Sequence, residues 1–199
     1  MTAKKETILK TAARLFSQKG YAAISMRVLA REIGITPAAL YHHFPDKEAL
    51  YCAVLQYVFA DKAAAITNLV GGDEAPVIRL EKLILGLAKL FSDDVILTRL
   101  LHRELLDGNE IRIKLLTEEV IATPIYEIEK LMQKLAPERD PRLSAMSIIG
   151  LILGHFELMP IVQNLSRPVK RHDLSSVTAH IMAIGLCGLL GSPGHRKEG

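Results

Sequence analysis

The stretch Ser25 to Leu50, SMRVLAREIGITPAALYHHFPDKEAL, reads as two short helices separated by a tight turn and followed by the start of a third. Ser25 is placed to cap the first helix, whose apolar face is expected at Val28, Leu29 and Ile33. Gly34 supplies the left-handed or crowded backbone position that a sharp exit needs. Thr36 followed by Pro37 is an N-cap followed by the residue best suited to the first helical position. A second helix therefore starts within one turn of the first, and the arrangement is a helix-turn-helix.

In that motif the second helix enters the DNA major groove and the first crosses the sugar-phosphate backbone. The second helix here, Pro37 to Phe44, has Leu40 and Phe44 spaced to face inward, which leaves Tyr41, His42 and His43 to point elsewhere. Three consecutive amphipathic rings on so short a helix suit a surface that touches something. Ala38 and Ala39, near the helix N-terminus, allow close backbone approach, and alanine methyls pack on thymine methyls. Taken singly, Tyr41 could pack on its own domain and the histidines could be solvated. Asp46 weighs against that for the group, because it caps a third helix and puts Lys47 in its first turn, against the helix dipole. A nearby anion would offset the cost, and a phosphate at a helix N-terminus is the obvious one.

Gly20-Tyr21, Ser25, Leu29-Ala30, Gly34-Ile35-Thr36, Leu40-Tyr41-His42-His43-Phe44 and Lys47-Glu48-Ala49-Leu50 together resemble the DNA-binding signature of the TetR family of one-component bacterial regulators, over residues 5 to 55. Carried over position by position, the resemblance implies that Ser25, Tyr41, His43 and Lys47 touch phosphates. It implies that Arg27, Thr36, Pro37, Ala38, Ala39 and His42 lie at or near the bases. Ile24 stands where many members have threonine and Val28 where a polar residue is common, so one backbone contact and the usual capping-box acid are missing.

The 199 residues are 49% apolar but only 5% aromatic, with no tryptophan, a composition that favours interdigitating helices over a sheet sandwich. The net charge of +3 divides unevenly: residues 1–60 hold eight Lys/Arg against four Asp/Glu, the remainder seventeen against eighteen. The positive excess sits with the helix-turn-helix, as a phosphate-binding surface requires. Cys52 and Cys187 fit no metal spacing, and no apolar run follows the N-terminal MTAKKETILK, so the expectation is a cytoplasmic protein with reduced thiols and no metal or cofactor. Ala145 to Val162 is the longest apolar stretch, but His155, Glu157 and Pro160 interrupt it, and it reads as a buried helix rather than a membrane span.

The expected architecture is all-α, with about nine helices: a helix-turn-helix domain over residues 1–50, a linking helix and turn over 51–75, a ligand-binding and dimerisation domain over 76–191, and a disordered tail over 192–199. The first helix carries Ile8, Leu9, Ala12, Leu15 and Phe16 and ends at Gly20, with Lys4 and Lys5 as a basic arm ahead of it. Ile111 to Leu135 reads as one helix kinked at Pro124. The last two helices, 142–165 and 173–190, are apolar on most sides and carry small residues, including Gly150 and Gly154. Such helices need covering on more than one side, and the expectation is a homodimer pairing them with their copies as a four-helix bundle.

No motif beyond Pro76 fixes a ligand. Arg103-Glu104-Leu105 before a turn, followed by a long helix with Pro124, weakly resembles the C-terminal half of the CecR-like subgroup of TetR regulators, which implies a ligand-binding and dimerising domain without naming the ligand. A pocket near Pro124 would be lined by apolar side chains, with His102, Arg103, Tyr126, His155 and Glu157 as candidates to orient a small, mainly apolar effector. Each has a plainer role open to it: an Arg103–Glu104 ion pair, a core Tyr126, a hydrogen-bonded His155. His155-Phe156-Glu157 has the H-x-E form of zinc deaminases but lacks their P-C-x-x-C, and no P-loop, GxSxG, HExxH or dinucleotide turn is present, so no enzyme is expected. The expected function is a ligand-responsive regulator, a repressor released from a palindromic double-stranded DNA operator by its effector. The alternatives are an activator of the same fold and a helical adaptor that binds only proteins.

Overall fold

Apolar side chains recur at helical spacing along the whole chain, and the computed structural model, which describes residues 3–165 and 172–190, is helical throughout its regular elements. In order these are α1 (Ala3–Lys19), α2 (Met26–Ile33), α3 (Pro37–His43), α4 (Lys47–Val70), α5 (Pro76–Asp93), α6 (Val95–Asp107), α7 (Glu110–Leu116), a π-helical turn (Thr117–Ile121), α8 (Ala122–Leu135), α9 (Pro141–Gln163) and α10 (Leu174–Leu190). Taking α7, the π turn and α8 as one interrupted element leaves the nine helices expected. The tail at 192–199 lies outside the described residues.

The helix expected over Ile111 to Leu135 with a kink at Pro124 is interrupted ahead of the proline, at Thr117–Ile121. Proline has no N–H to give the Val120 carbonyl four residues back, and its ring crowds that turn. The chain meets this ahead of the proline by widening one turn, so that the Ala122 N–H bonds the Thr117 carbonyl five residues back.

The contacts group the chain into two compact units, Met1–Ala63 with Asp94–Ala122, and Ala64–Asp93 with Thr123–Gly199. This line differs from a division near residues 50 and 75, since α6 and α7 group with the helix-turn-helix; α4 runs through the division. In the first unit, Ile8, Leu9, Ala12, Leu15 and Phe16 of α1 are buried with Leu50, Tyr51, Val54 and Leu55 of α4 and with Leu97 and Leu100 of α6. Each large apolar side chain withdrawn from water in this way contributes about 1.5–3 kcal/mol before entropy is subtracted. The α2 face is Met26, Leu29 and Ala30, whereas Val28 and Ile33 are only half-buried. The i, i+3, i+4 spacing of the observed three makes the tighter stripe, and small Ala30 lets a neighbour approach.

In the second unit α5 packs against α9 and α10, burying Leu80, Leu83, Ile84, Ile148, Ile152, Val177 and Ile181. Buried Arg79 donates from Nε to the Val70 carbonyl at 2.5 Å, satisfying the C-terminus of α4. On α9, Leu143, Met146, Leu158 and Ile161 remain exposed, as does Ile184 on α10. By length and composition alone α4 and α9 could each cross a bilayer; α4 nonetheless supplies four fully buried core residues to the first unit.

Candidate nucleic-acid interface

Three successive caps set the geometry of the helix-turn-helix. The Ser25 hydroxyl accepts from the Val28 N–H at 3.3 Å, and the Thr36 hydroxyl accepts from the Ala39 N–H at 3.2 Å. Both hydroxyls act there as acceptors, which leaves each O–H free to donate to a phosphate oxygen. The Asp46 carboxylate accepts from the Ala49 N–H at 2.8 Å and starts α4. Between them Gly34 ends α2 at φ 79°, and its N–H and that of Ile35 reach back to the last turn.

Helix α3 is held by buried Leu40 and by Phe44 at its C-cap. Its outward residues are then Pro37, Ala38, Tyr41 and His42, all exposed, with Ala39 and His43 half-buried. Tyr41 is 49% exposed, a large fraction for an aromatic ring on a helix anchored in a core. Ser25, Arg27 and Thr36 are exposed at the starts of α2 and α3. The arrangement can offer hydroxyl donors, one guanidinium and flat rings to a polyanion, with two alanine methyls at the N-terminal end of α3.

Lys47 is differently placed from a free surface lysine. Its amino group donates to the Tyr21 carbonyl at 3.0 Å and lies 4.0 Å from the centre of the Tyr21 ring. One ammonium proton is used there, and two remain for an anion. Lys4 and Lys5 lie in the first turn of α1 and not on an arm ahead of it, and Lys5 stands 5.6 Å from the Phe44 ring centre, close enough for a cation–π contact. Burial, then the nearby Glu48 carboxylate, push the Tyr21 hydroxyl up to about 12.

Residues 8–54 match the model of the bacterial regulatory proteins, tetR family. This segment is a TetR-family domain. The chain is 41% identical over 69 residues to the uncharacterized HTH-type transcriptional regulator YerO of Bacillus subtilis (strain 168), covering 35% of this chain and 24% of that protein. It is 30% identical over 112 residues to the nucleoid occlusion factor SlmA of Shewanella amazonensis, covering 56% of each. The matched segments thus span between a quarter and somewhat over half the length of these relatives. Among solved structures, FadR of Bacillus halodurans superposes with a TM-score of 0.76 at 18% identity, covering 98% of this chain and 99% of that one. AibR in complex with isovaleryl coenzyme A and operator DNA superposes with a TM-score of 0.69 at 22% identity, covering 91% and 97%. At these identities the likeness shows a shared fold.

Outside the TetR-family segment, the five residues considered for an effector are divided between the two units: His102 and Arg103 in the first, Tyr126, His155 and Glu157 in the second. Arg103 does not pair with Glu104. Its Nε and Nη2 donate to the carbonyls of Ser17 and Gln18, at 3.4 and 3.3 Å, where they cap the C-terminus of α1. His102 is half-buried on α6, Tyr126 is 54% exposed on α8, and Glu157 is exposed on α9. His155 has a buried Nε2 with no partner among the described residues, and burial, then the charges of His180 and His172, lower its pKa. A groove of about 370 Å³ runs along α9 and α10, lined in part by Leu143, Ser147, Leu151, Ile184 and Gly188.

Sequence reasoning missed the partner of Glu104. This carboxylate is 1% exposed and accepts from Arg112 Nε at 2.7 Å and from the Tyr51 hydroxyl at 2.6 Å. The signal was present: Glu104 continues the buried Leu97 and Leu100 register of α6, where a carboxylate needs a cation. Burial, then the bond to Glu104, push the Tyr51 hydroxyl far above its ordinary value.

Proposed function

We propose that the chain is a ligand-responsive transcriptional regulator that acts in the cytoplasm as a homodimer, repressing from a palindromic operator until a small, mainly apolar effector releases it. The carrying observation is the outward face of α3, Pro37 to His43, set by the Thr36 cap on a TetR-family head whose charge is positive. Phosphate contacts by Ser25, Tyr41, His43 and Lys47 supply much of the affinity. Arg27, Thr36, Pro37, Ala38, Ala39 and His42 read or line the bases. The exposed apolar faces of α9 and α10 support pairing with a second copy. That places two heads on half-sites about 34–36 Å apart or a multiple of it.

His155 supports the effector reading, because a buried nitrogen without a partner among the described residues is a polar atom suited to a ligand or to the second protomer. Two proteins of this fold were solved with isovaleryl coenzyme A and with stearoyl-CoA, whose acyl chains alone match a small apolar effector, so the free acyl groups and their thioesters are the first probes. Any effector acts only through its differential affinity for the two states.

The test is enrichment of bound sequences from a random duplex DNA pool at moderate salt, where nonspecific binding is suppressed. An inverted repeat is expected, and Tyr41→Ala should lower affinity for it by about tenfold with the melting temperature unchanged. No enrichment, even after denaturation and refolding to strip a bound effector, overturns the reading.

A further inference from the structure

A connected set of side chains runs from α6 and α7 into the head. The Tyr51 ring is fully buried on α4 and stacks edge-on to Phe16, with ring centres 4.8 Å apart. Its hydroxyl donates to one oxygen of Glu104, and Arg112 Nε donates to the other. Arg112, itself buried, also donates from Nη2 to Asp107 at 3.1 Å and lies 3.8 Å from Glu48. The guanidinium centre stands 5.1 Å from the Tyr21 ring and 5.2 Å from the Tyr51 ring, and those rings are 4.9 Å apart. Tyr21 is therefore held along its ring by one cation and one aromatic neighbour. On that ring, and on the same residue's carbonyl, sits the Lys47 ammonium.

A lysine on a four-carbon stem spends rotamer entropy to reach one position. A seat made before DNA arrives removes that cost at binding. The buried Arg112–Glu104 pair is in itself weak grounds for stability, because apolar residues of similar volume often serve as well. Its connection to Tyr21 is what an apolar replacement could not reproduce.

We infer that Arg112 and Glu104, outside the TetR-family segment, position Lys47 for its phosphate through Tyr51 and Tyr21. They are positioning residues and do not touch DNA. The inference rests on the reading that Lys47 meets a phosphate. It adds that the affinity of the head is set partly from α6 and α7, so a change at Arg112 is felt at the DNA.

The test exchanges the whole buried set for apolar residues, Tyr51→Phe with Glu104→Met and Arg112→Met, so that no charge or hydroxyl is left unpaired. The full chain is measured by thermal melting and by DNA binding across a salt series, in the Lys47 and Lys47→Ala backgrounds. With Lys47 present, the exchange is expected to weaken binding by about tenfold and to make the salt dependence shallower by about one charge per head. With Lys47→Ala, it should cost nothing further. Unchanged affinity and salt slope, or losses that simply add to those of Lys47→Ala, overturn the inference. If Lys47→Ala alone changes neither quantity, the phosphate reading itself fails. Should the exchanged chain not fold, Glu48→Gln carries the same comparison, since it removes the charge 3.8 Å from Arg112 at a half-exposed site.

Discussion

The ring of Tyr21 meets Phe16, Tyr51, Lys47 and Arg112. Its neighbour Gly20 marks a helix end in any reading of the sequence, but nothing in a local window tells that the ring will lie between Lys47, Arg112 and Tyr51. The consequence is a testable pH dependence. The hydroxyl ionises near 10 in an unfolded chain and near 12 in the fold, because burial and the Glu48 carboxylate both oppose a phenolate. The folded state therefore holds this proton more tightly. The stability it supplies is complete below pH 10 and is lost as pH rises toward 12. The melting temperature should fall over that interval, and Tyr21→Phe, which has no proton to lose, should show a smaller fall. Equal falls in the two proteins would remove Tyr21 as the cause.

At the scale of elements, the C-terminus of α1 illustrates a stop that is half local and half tertiary. Gly20 takes φ 82°, a left-handed conformation that side chains disfavour by about 1–2 kcal/mol. A Cβ there would also stand 2.7 Å from Nη1 of Arg103, which is donating to the last carbonyls of the same helix. Gly20→Ala should accordingly lower unfolding free energy by about 1–2 kcal/mol or somewhat more in a urea titration. Arg103→Ala should cost less, because it removes a cap without straining the backbone. The opposite order would mean that the guanidinium, and not the backbone, limits this turn. The glycine is legible in sequence as a helix stop. The arginine is not, because its partners lie 85 and 86 residues away.

For the whole molecule, the open question put to experiment is what covers α9 and α10. A Cβ added at Gly150 or Gly154 meets no neighbouring element within 4 Å among the described residues. Gly150→Leu with Gly154→Leu should therefore leave each protomer folded and block its pairing with a second copy. Sedimentation should show monomers, and operator affinity should drop by about a hundredfold or more as two linked heads become two separate ones. A sedimentation profile like that of the unaltered protein would place the pairing surface elsewhere.

Much of the head was legible because its signals act over four residues or fewer: Ser25, Thr36 and Asp46 cap the helices they precede, Gly34 turns the chain, and Leu40 and Phe44 anchor α3 by spacing alone. The same locality explains what a local window leaves out. Which face α2 buries and which residue neutralises Glu104 depend on partners distant in sequence. The effector candidates show the limit most plainly, for no local signal separates Arg103, which closes α1, from His155, whose buried nitrogen has no partner among the described residues. Sequence by itself determined the caps, the turn and the outward residues of α3, because backbone hydrogen bonding is settled within a helical turn. Only the tertiary structure decided that Arg103 closes α1, that Arg112 answers Glu104 and that Lys47 is seated on Tyr21, because a buried charge takes whatever partner the packing brings to it.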